Sequence, residues 1–157
     1  MTQTPLRASD AASHDAGRIP TAESLQWLER AGKLYARLAL GAAFLSAVAD
    51  RFGLWGKYGG WGNFANFINY TAKVNSFMPA STIPFLAWTA TGAETFFGIG
   101  LIVGLWPRWM ALGSAVLLAI FGIAMAISFG VKSPMDYSVF SASAGALLLA
   151  LCRDRRS

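Results

Sequence analysis

The chain has 157 residues, of which 55% are hydrophobic and 13% are charged. A soluble domain carries about 25% charged residues, and a chain of this length could not hide so much apolar surface in a soluble fold. The composition excludes a disordered chain and predicts a small integral membrane protein. The net charge of +5 comes largely from basic residues that flank apolar runs. This placement indicates membrane topology and argues against nucleic-acid binding.

The counts of cysteine and histidine limit the possible chemistry. The chain contains one cysteine, Cys152, and one histidine, His14. An intrachain disulfide, a CxxC redox pair, an iron–sulfur cluster and covalent haem are therefore excluded within this chain. The serines also lack a nearby histidine that could activate them. We predict no metal site, no intrinsic cofactor and no catalytic residue, so electron transfer would need a bound organic cofactor or a partner subunit.

Four apolar segments are predicted to span the membrane. The first covers about residues 34–55 and is the weakest prediction, because its uncharged centre is short. The second, 84–106, contains one charged residue, and the third, 109–130, contains none. The fourth covers about residues 135–152, with Asp136 at its start, where the carboxylate is expected to accept from free N–H groups of the helix. Small residues at 100 and 104 and at 141 and 145 are candidate packing positions between spans.

The basic residues predict the orientation and the domain limits. Residues 1–33 are polar and are predicted to form a partly disordered cytoplasmic segment with a short amphipathic helix. Residues 34–152 form the membrane domain, and residues 153–157 form a basic tail. Arg108 lies in the short connection between spans two and three. The positive-inside rule then places both termini in the cytoplasm of a bacterium, with the domain in the inner membrane.

The connection 53–83 is too long to lack structure of its own. Its apolar residues recur near helical spacing, and asparagines and a lysine fill the other face. We therefore predict an interfacial amphipathic helix in the first outer loop. The fold class predicted from the sequence is all-α, an integral membrane four-helix bundle that carries this additional helix.

Glu94 is the residue with the most informative position. It lies about ten residues into the second span, where a carboxylate is costly unless it is protonated, paired or hydrated. Three interpretations remain open: a structural ion pair with an arginine, a protonated carboxyl bonded to a threonine, or a proton-relay or ligand-binding group. Helix rise places Arg51 within about one and a half turns of Glu94, closer than Arg37. We therefore expect Arg51 to be its partner, with Asp50 bonding Lys57, Lys132 or a loop amide.

The same topology predicts a pocket in the outer half of the bundle. Apolar pockets with a few convergent polar groups are the usual form of ligand sites. The candidate ligand-binding residues are Glu94, Arg51, Asp50, Thr91, Trp88, Asp136 and Tyr137.

Two stretches resemble a known family. Residues 37–56 read RLALGAAFLSAVADRFGLWG, and residues 92–109 read GAETFFGIGLIVGLWPRW, with a membrane glutamate and then a short basic turn. Together with the two apolar spans that follow, the chain resembles the DoxX family of small bacterial four-span membrane proteins over about residues 34–152. Arg37 and Glu94 are the matching positions. The resemblance implies a four-helix membrane bundle. Some relatives are subunits of thiosulfate:quinone oxidoreductase, and others belong to membrane-associated oxidoreductase complexes.

The leading hypothesis is a non-catalytic membrane subunit or accessory of an oxidoreductase complex that contributes a quinone pocket. Its expected partners are membrane lipid, a soluble or membrane oxidoreductase, and further copies of the chain. One alternative is a small-solute or lipid-handling membrane protein with Glu94 as a polar anchor. Another is an assembly or stress-response scaffold in which Glu94 is purely structural.

Overall fold

The computed structural model describes residues 22–152, and no β-strand occurs among them. The chain divides into two compact units, Met1–Gly32 and Lys33–Ser157. In the first unit the described residues, 22–32, are helical. The predicted disordered segment and the basic tail lie largely outside the described residues. The helices are α1 (Ala22–Arg51), α2 (Phe64–Val74), α3 (Ile83–Val103), α4 (Pro107–Phe129), α5 (Lys132–Asp136) and α6 (Val139–Leu151). The all-α prediction is confirmed.

Three helical segments are long and apolar enough to cross a membrane: Ala22–Arg51, Ala80–Val103 and Pro107–Phe129. They correspond to the first three predicted spans. The fourth apolar helix, α6, has 13 residues. At 1.5 Å per residue it is about 20 Å long, shorter than the ~30 Å hydrocarbon core. The count of four spans therefore stays a prediction.

The structure corrects the start of the fourth span. A helix was expected from about residue 135, but α6 begins only at Val139, because Ser138 adopts a left-handed conformation with φ 54°. Asp136 instead ends the short helix α5, and its carboxylate accepts from Lys132 Nζ at 2.5 Å. The expectation that Asp136 would serve the N-terminus of the fourth span is therefore wrong.

The amphipathic helix predicted in the long connection is present as α2. Asn63 caps it, because the Asn63 side chain accepts a hydrogen bond from the Asn66 backbone N–H at 2.9 Å. The residues Phe67, Thr71 and Val74 recur at helical spacing and form its buried face, which packs on α3 and α4. Its place at a membrane interface stays a prediction.

The tightest packing lies between α4 and α6. Small buried residues, Ala111 and Ala115 on α4 and Ala146 on α6, let the helices approach closely. Ser143 Oγ adds a hydrogen bond across this interface by donating to the Ala115 carbonyl at 2.8 Å. On the outside of α4, large apolar residues stay more than half exposed, among them Val116, Ile123 and Ile127. A continuous exposed apolar face of this kind is expected for a helix in contact with lipid.

Of the two small-residue pairs expected from the sequence, one packs: Gly100 lies against Met110 of α4, and Gly104 lies against Arg37 of α1. The second pair does not pack. Ser141 and Gly145 are exposed, and a Cβ atom on Gly145 would meet nothing within 4 Å. The close approach of α1 and α3 instead occurs at Gly41 and Gly98. Gly104 ends α3 with φ 82°, a left-handed conformation that favours glycine, and its N–H donates to the Gly100 carbonyl at 2.9 Å.

Candidate functional site

The site is centred on a buried ion pair between two helices. Arg51 is the last residue of α1, and Glu94 lies in the middle of α3. Nη2 of Arg51 is 2.7 Å from both carboxylate oxygens of Glu94. The two residues are only 4% and 3% exposed. The pairing expected from helix rise is confirmed.

Thr91 and Phe67 also contact the guanidinium group of Arg51. Arg51 Nη1 donates to Thr91 Oγ1 at 2.8 Å, and Thr91 in turn donates to the Ala87 carbonyl at 2.8 Å. Thr91 and Glu94 are three residues apart and share one face of α3, so a single arginine reaches both. The Phe67 ring of α2 lies 3.7 Å from Arg51 Cζ, in a cation–π contact. The arginine therefore joins α1, α2 and α3.

Two polar atoms of this pair lack a hydrogen bond within the described part of the chain. Arg51 Nε is a buried donor without an acceptor, and Glu94 Oε2 makes only the ion pair with Nη2. A buried donor without a partner costs about 1–3 kcal/mol and is uncommon in native proteins. The ion pair therefore retains capacity to bind a polar group of a ligand.

A cavity of about 390 Å³ opens beside the ion pair. Arg51 and Glu94 lie in its wall, together with apolar side chains such as Leu118 and Phe121 of α4. A mostly apolar cavity with a few polar groups is the usual form of a small-molecule site. Its other polar and aromatic lining residues are Trp61, Phe67, Tyr70, Thr71, Asn75 and Tyr137.

Tyr70 on α2 contributes a half-buried phenol to this wall. Burial raises the pKa of the Tyr70 hydroxyl above its ordinary value of 10.0, and the nearby Tyr137 raises it further. The Tyr70 ring packs against Trp61 with the ring centroids 4.5 Å apart. Near neutral pH, Tyr70 is therefore an uncharged group that can donate a hydrogen bond.

Four of the predicted site residues do not line the cavity: Thr91, Asp50, Trp88 and Asp136. Thr91 contacts Arg51 instead. Asp50 accepts from the backbone N–H groups of Gly60 at 2.9 Å and Trp61 at 3.2 Å, which is the loop-amide alternative. Trp88 packs against Phe64 with the ring centroids 4.2 Å apart. Asp136 pairs with Lys132 on the surface. The structure brings together Arg51, Glu94 and Thr91, and Tyr137 also lines the cavity.

The contribution of α2 to the site was not predicted from the sequence. Tyr70 and Thr71 line the cavity but are not among the predicted site residues, and Asn75, which the sequence places on the polar face of the helix, lines it too. The available signal was the spacing of Phe67, Thr71 and Val74, which places Thr71 on the apolar face. Among the described residues, no group of acidic, cysteine and histidine side chains could hold a metal ion.

Fold and site together define an all-α integral membrane protein with a buried ion pair beneath an amphipathic helix. The DoxX family model matches residues 32–131, which is more than half of the chain, and the chain belongs to the DoxX family. The matched segment includes Arg37, Arg51 and Glu94, and it ends before Tyr137. Neither the curated proteins nor the solved structures contained a match to the chain.

Proposed function

We propose that this protein is a membrane subunit or accessory of an oxidoreductase complex and binds a quinone in the cavity beside Arg51 and Glu94. The observation that carries the proposal is the buried Arg51–Glu94 pair in the lining of a mostly apolar cavity, with Arg51 Nε left without an acceptor. Such a cavity favours a ligand that is mostly apolar, soluble in the membrane and equipped with a hydrogen-bond acceptor.

A quinone ring meets these requirements. Its carbonyl oxygens are acceptors, and the volume of about 390 Å³ lies within the range of small-molecule sites, roughly 300–1,000 Å³. Arg51 would donate to one carbonyl, and the neutral Tyr70 hydroxyl would offer a donor elsewhere in the wall. Apolar side chains of α4 would contact the ring and the start of its tail.

The residues of the chain have distinct roles in this proposal. Arg51 orients the ring, while Thr91 and Glu94 hold the two terminal nitrogens of its guanidinium and leave Nε without a partner. The quinone supplies the capacity to accept electrons. Because the chain has one cysteine and one histidine, we assign the source of those electrons to a partner oxidoreductase.

The alternative is a small-solute or lipid-handling protein that uses the same cavity. The predominance of apolar lining residues supports it, since a lipid tail would fill the same space. The two functions differ in how ligand binding depends on Arg51, because a lipid tail needs no hydrogen-bond donor.

Quinone binding can be measured directly with decylubiquinone. Trp61 lies in the cavity wall, so bound quinone should quench part of the tryptophan fluorescence of the purified protein in mild detergent. We expect saturable quenching in the wild type and about tenfold weaker binding in Arg51→Lys. A lysine lacks the Nε donor, and a hydrogen bond to a charged donor is worth about 1.5 kcal/mol.

The matched control is Lys132→Gln, which removes an exposed cation outside the cavity. Thermal unfolding of each variant separates a loss of binding from a loss of fold. Equal decylubiquinone affinity in the wild type and in a folded Arg51→Lys variant would contradict the quinone proposal. Association with a redox partner is tested separately by cross-linking in native membranes, and the absence of an oxidoreductase would contradict that part.

A further inference from the structure

A second cavity, of about 600 Å³, lies at the other end of the α1–α3 pair. Three basic side chains line it: Lys33 and Arg37 of α1 and Arg108 at the start of α4. None of the lining residues within the described range 22–152 is acidic. Arg37 and Arg51 are 14 positions apart, so the two cavities are separated by roughly 21 Å along α1. This second cavity is therefore a distinct site with a strongly positive wall.

Arg37 is fixed in position at the end of α3. Its Nε donates to the Leu101 carbonyl at 3.0 Å, and the guanidinium packs against Gly104, where a Cβ atom would collide with Nη2. Since Nε provides one of the five N–H donors of arginine, the remaining donors belong to the two terminal nitrogens. The fold therefore holds a preorganised cation in the wall of the cavity.

The connection between α3 and α4 has a strained backbone and exposes two aromatic side chains. Trp106 has φ 37°, a left-handed conformation that is costly for a residue other than glycine. Trp106 and Trp109 line the cavity and are also 73% and 67% exposed. Exposed tryptophans next to basic residues are typical of the level of lipid headgroups.

We propose that this cavity binds the phosphate group of an anionic phospholipid from the adjacent membrane leaflet. Arg37 and Arg108 contact the phosphate, and the two tryptophans and Leu151 contact the glycerol backbone and the first acyl carbons. The aromatic and aliphatic part of the lining favours a lipid over a soluble anion, which would gain nothing from apolar surface.

Native mass spectrometry with added lipid tests the proposal. The full-length protein in mild detergent is titrated with phosphatidylglycerol and, separately, with phosphatidylcholine of the same chain length. We expect preferential retention of phosphatidylglycerol in the wild type and about fivefold weaker retention in Arg108→Gln, which removes one charge near a headgroup. Arg108 is exposed, so this variant should fold even if Arg37→Gln does not.

Lys73→Gln is the matched control, because Lys73 is an exposed cation on α2 that does not line this cavity. Three outcomes would overturn the proposal. These are equal retention of the two lipids, an equal loss in Arg108→Gln and Lys73→Gln, and displacement of phosphatidylglycerol by millimolar inorganic phosphate, which would indicate a site for a soluble anion. Decylubiquinone binding should be unchanged in Arg108→Gln, so this test is independent of the quinone proposal.

Discussion

Gly41 and Gly98 lie opposite each other where α1 crosses α3, so close that a Cβ atom on Gly41 would stand 2.9 Å from the Gly98 carbonyl oxygen. The crossing sets the register of the ion pair. Arg51 lies roughly 15 Å beyond it along α1, and Glu94 lies roughly 6 Å beyond it along the antiparallel α3. The long arginine side chain closes the remaining difference. The contact between two glycines is therefore what allows the arginine at the end of α1 to reach the middle of α3.

The first prediction concerns this crossing. Gly41→Ala should lower the Tm in detergent, because its Cβ would force α1 away from the α3 backbone, and overpacking costs about 1–3 kcal/mol. This loss should exceed the gain of ~1 kcal/mol that alanine brings to a helix interior. Gly145→Ala is the matched control, since nothing lies within 4 Å of its Cβ position. The prediction is wrong if the two variants shift the Tm equally.

The second prediction concerns the ion pair. Arg51→Met leaves Glu94 buried without its partner, and breaking a buried pair from one side costs about 3–5 kcal/mol. Arg51→Met combined with Glu94→Leu should be more stable than Arg51→Met alone, because neither charge then remains. The free energy of unfolding in mixed detergent micelles gives both values, and a double-mutant cycle gives the coupling. Purely additive losses would show that the two residues are not coupled.

The third prediction concerns the loop that Asp50 holds. A Cβ atom on Gly59 would collide with Asp50 Oδ1, whereas one on Gly60 would stand at an ordinary 3.5 Å from Asp50 Oδ2. Gly59→Ala should therefore displace the carboxylate and weaken its hydrogen bonds to the N–H groups of Gly60 and Trp61. Hydrogen exchange of residues 60–61 should be faster in Gly59→Ala than in Gly60→Ala. Similar exchange in the two variants would assign the loop geometry to other contacts.

The fourth prediction concerns the ionisation of Tyr70. Because burial and then Tyr137 raise its pKa above 10.0, the favourable environment of the neutral phenol stabilises the fold below pH 10. This stabilisation is lost as the pH rises through the raised pKa. Ultraviolet titration of the wild type and Tyr70→Phe isolates the Tyr70 component. Tyr137→Phe should lower its midpoint without restoring the ordinary value, since burial remains. A Tyr70 midpoint at or below 10.0 would contradict the assignment.

Local patterns in the sequence were sufficient to predict the main helices of the fold. Membrane-spanning and amphipathic helices follow from hydrophobic length and period, which depend on nearby residues alone. The depth of Glu94 and the position of Arg51 follow from helix rise, so their pairing could also be predicted. The predicted start of the fourth span was wrong because it depends on the backbone dihedral angles of a single residue. Ser138 adopts a left-handed conformation that no sequence pattern predicts, and this break in the helix separates Asp136 from α6.

Only the tertiary structure decided which surfaces meet. Gly41 and Gly98 pack, whereas Gly145 does not, because small residues are common on every apolar helix and only the crossing geometry selects a pair. Because α2 packs against the bundle, Tyr70 lines the cavity and the Phe67 ring contacts the guanidinium group of Arg51. Both cavities are spaces between helices that are distant in the sequence. Their shapes depend on how whole helices pack, which the periodicity of a single helix does not contain.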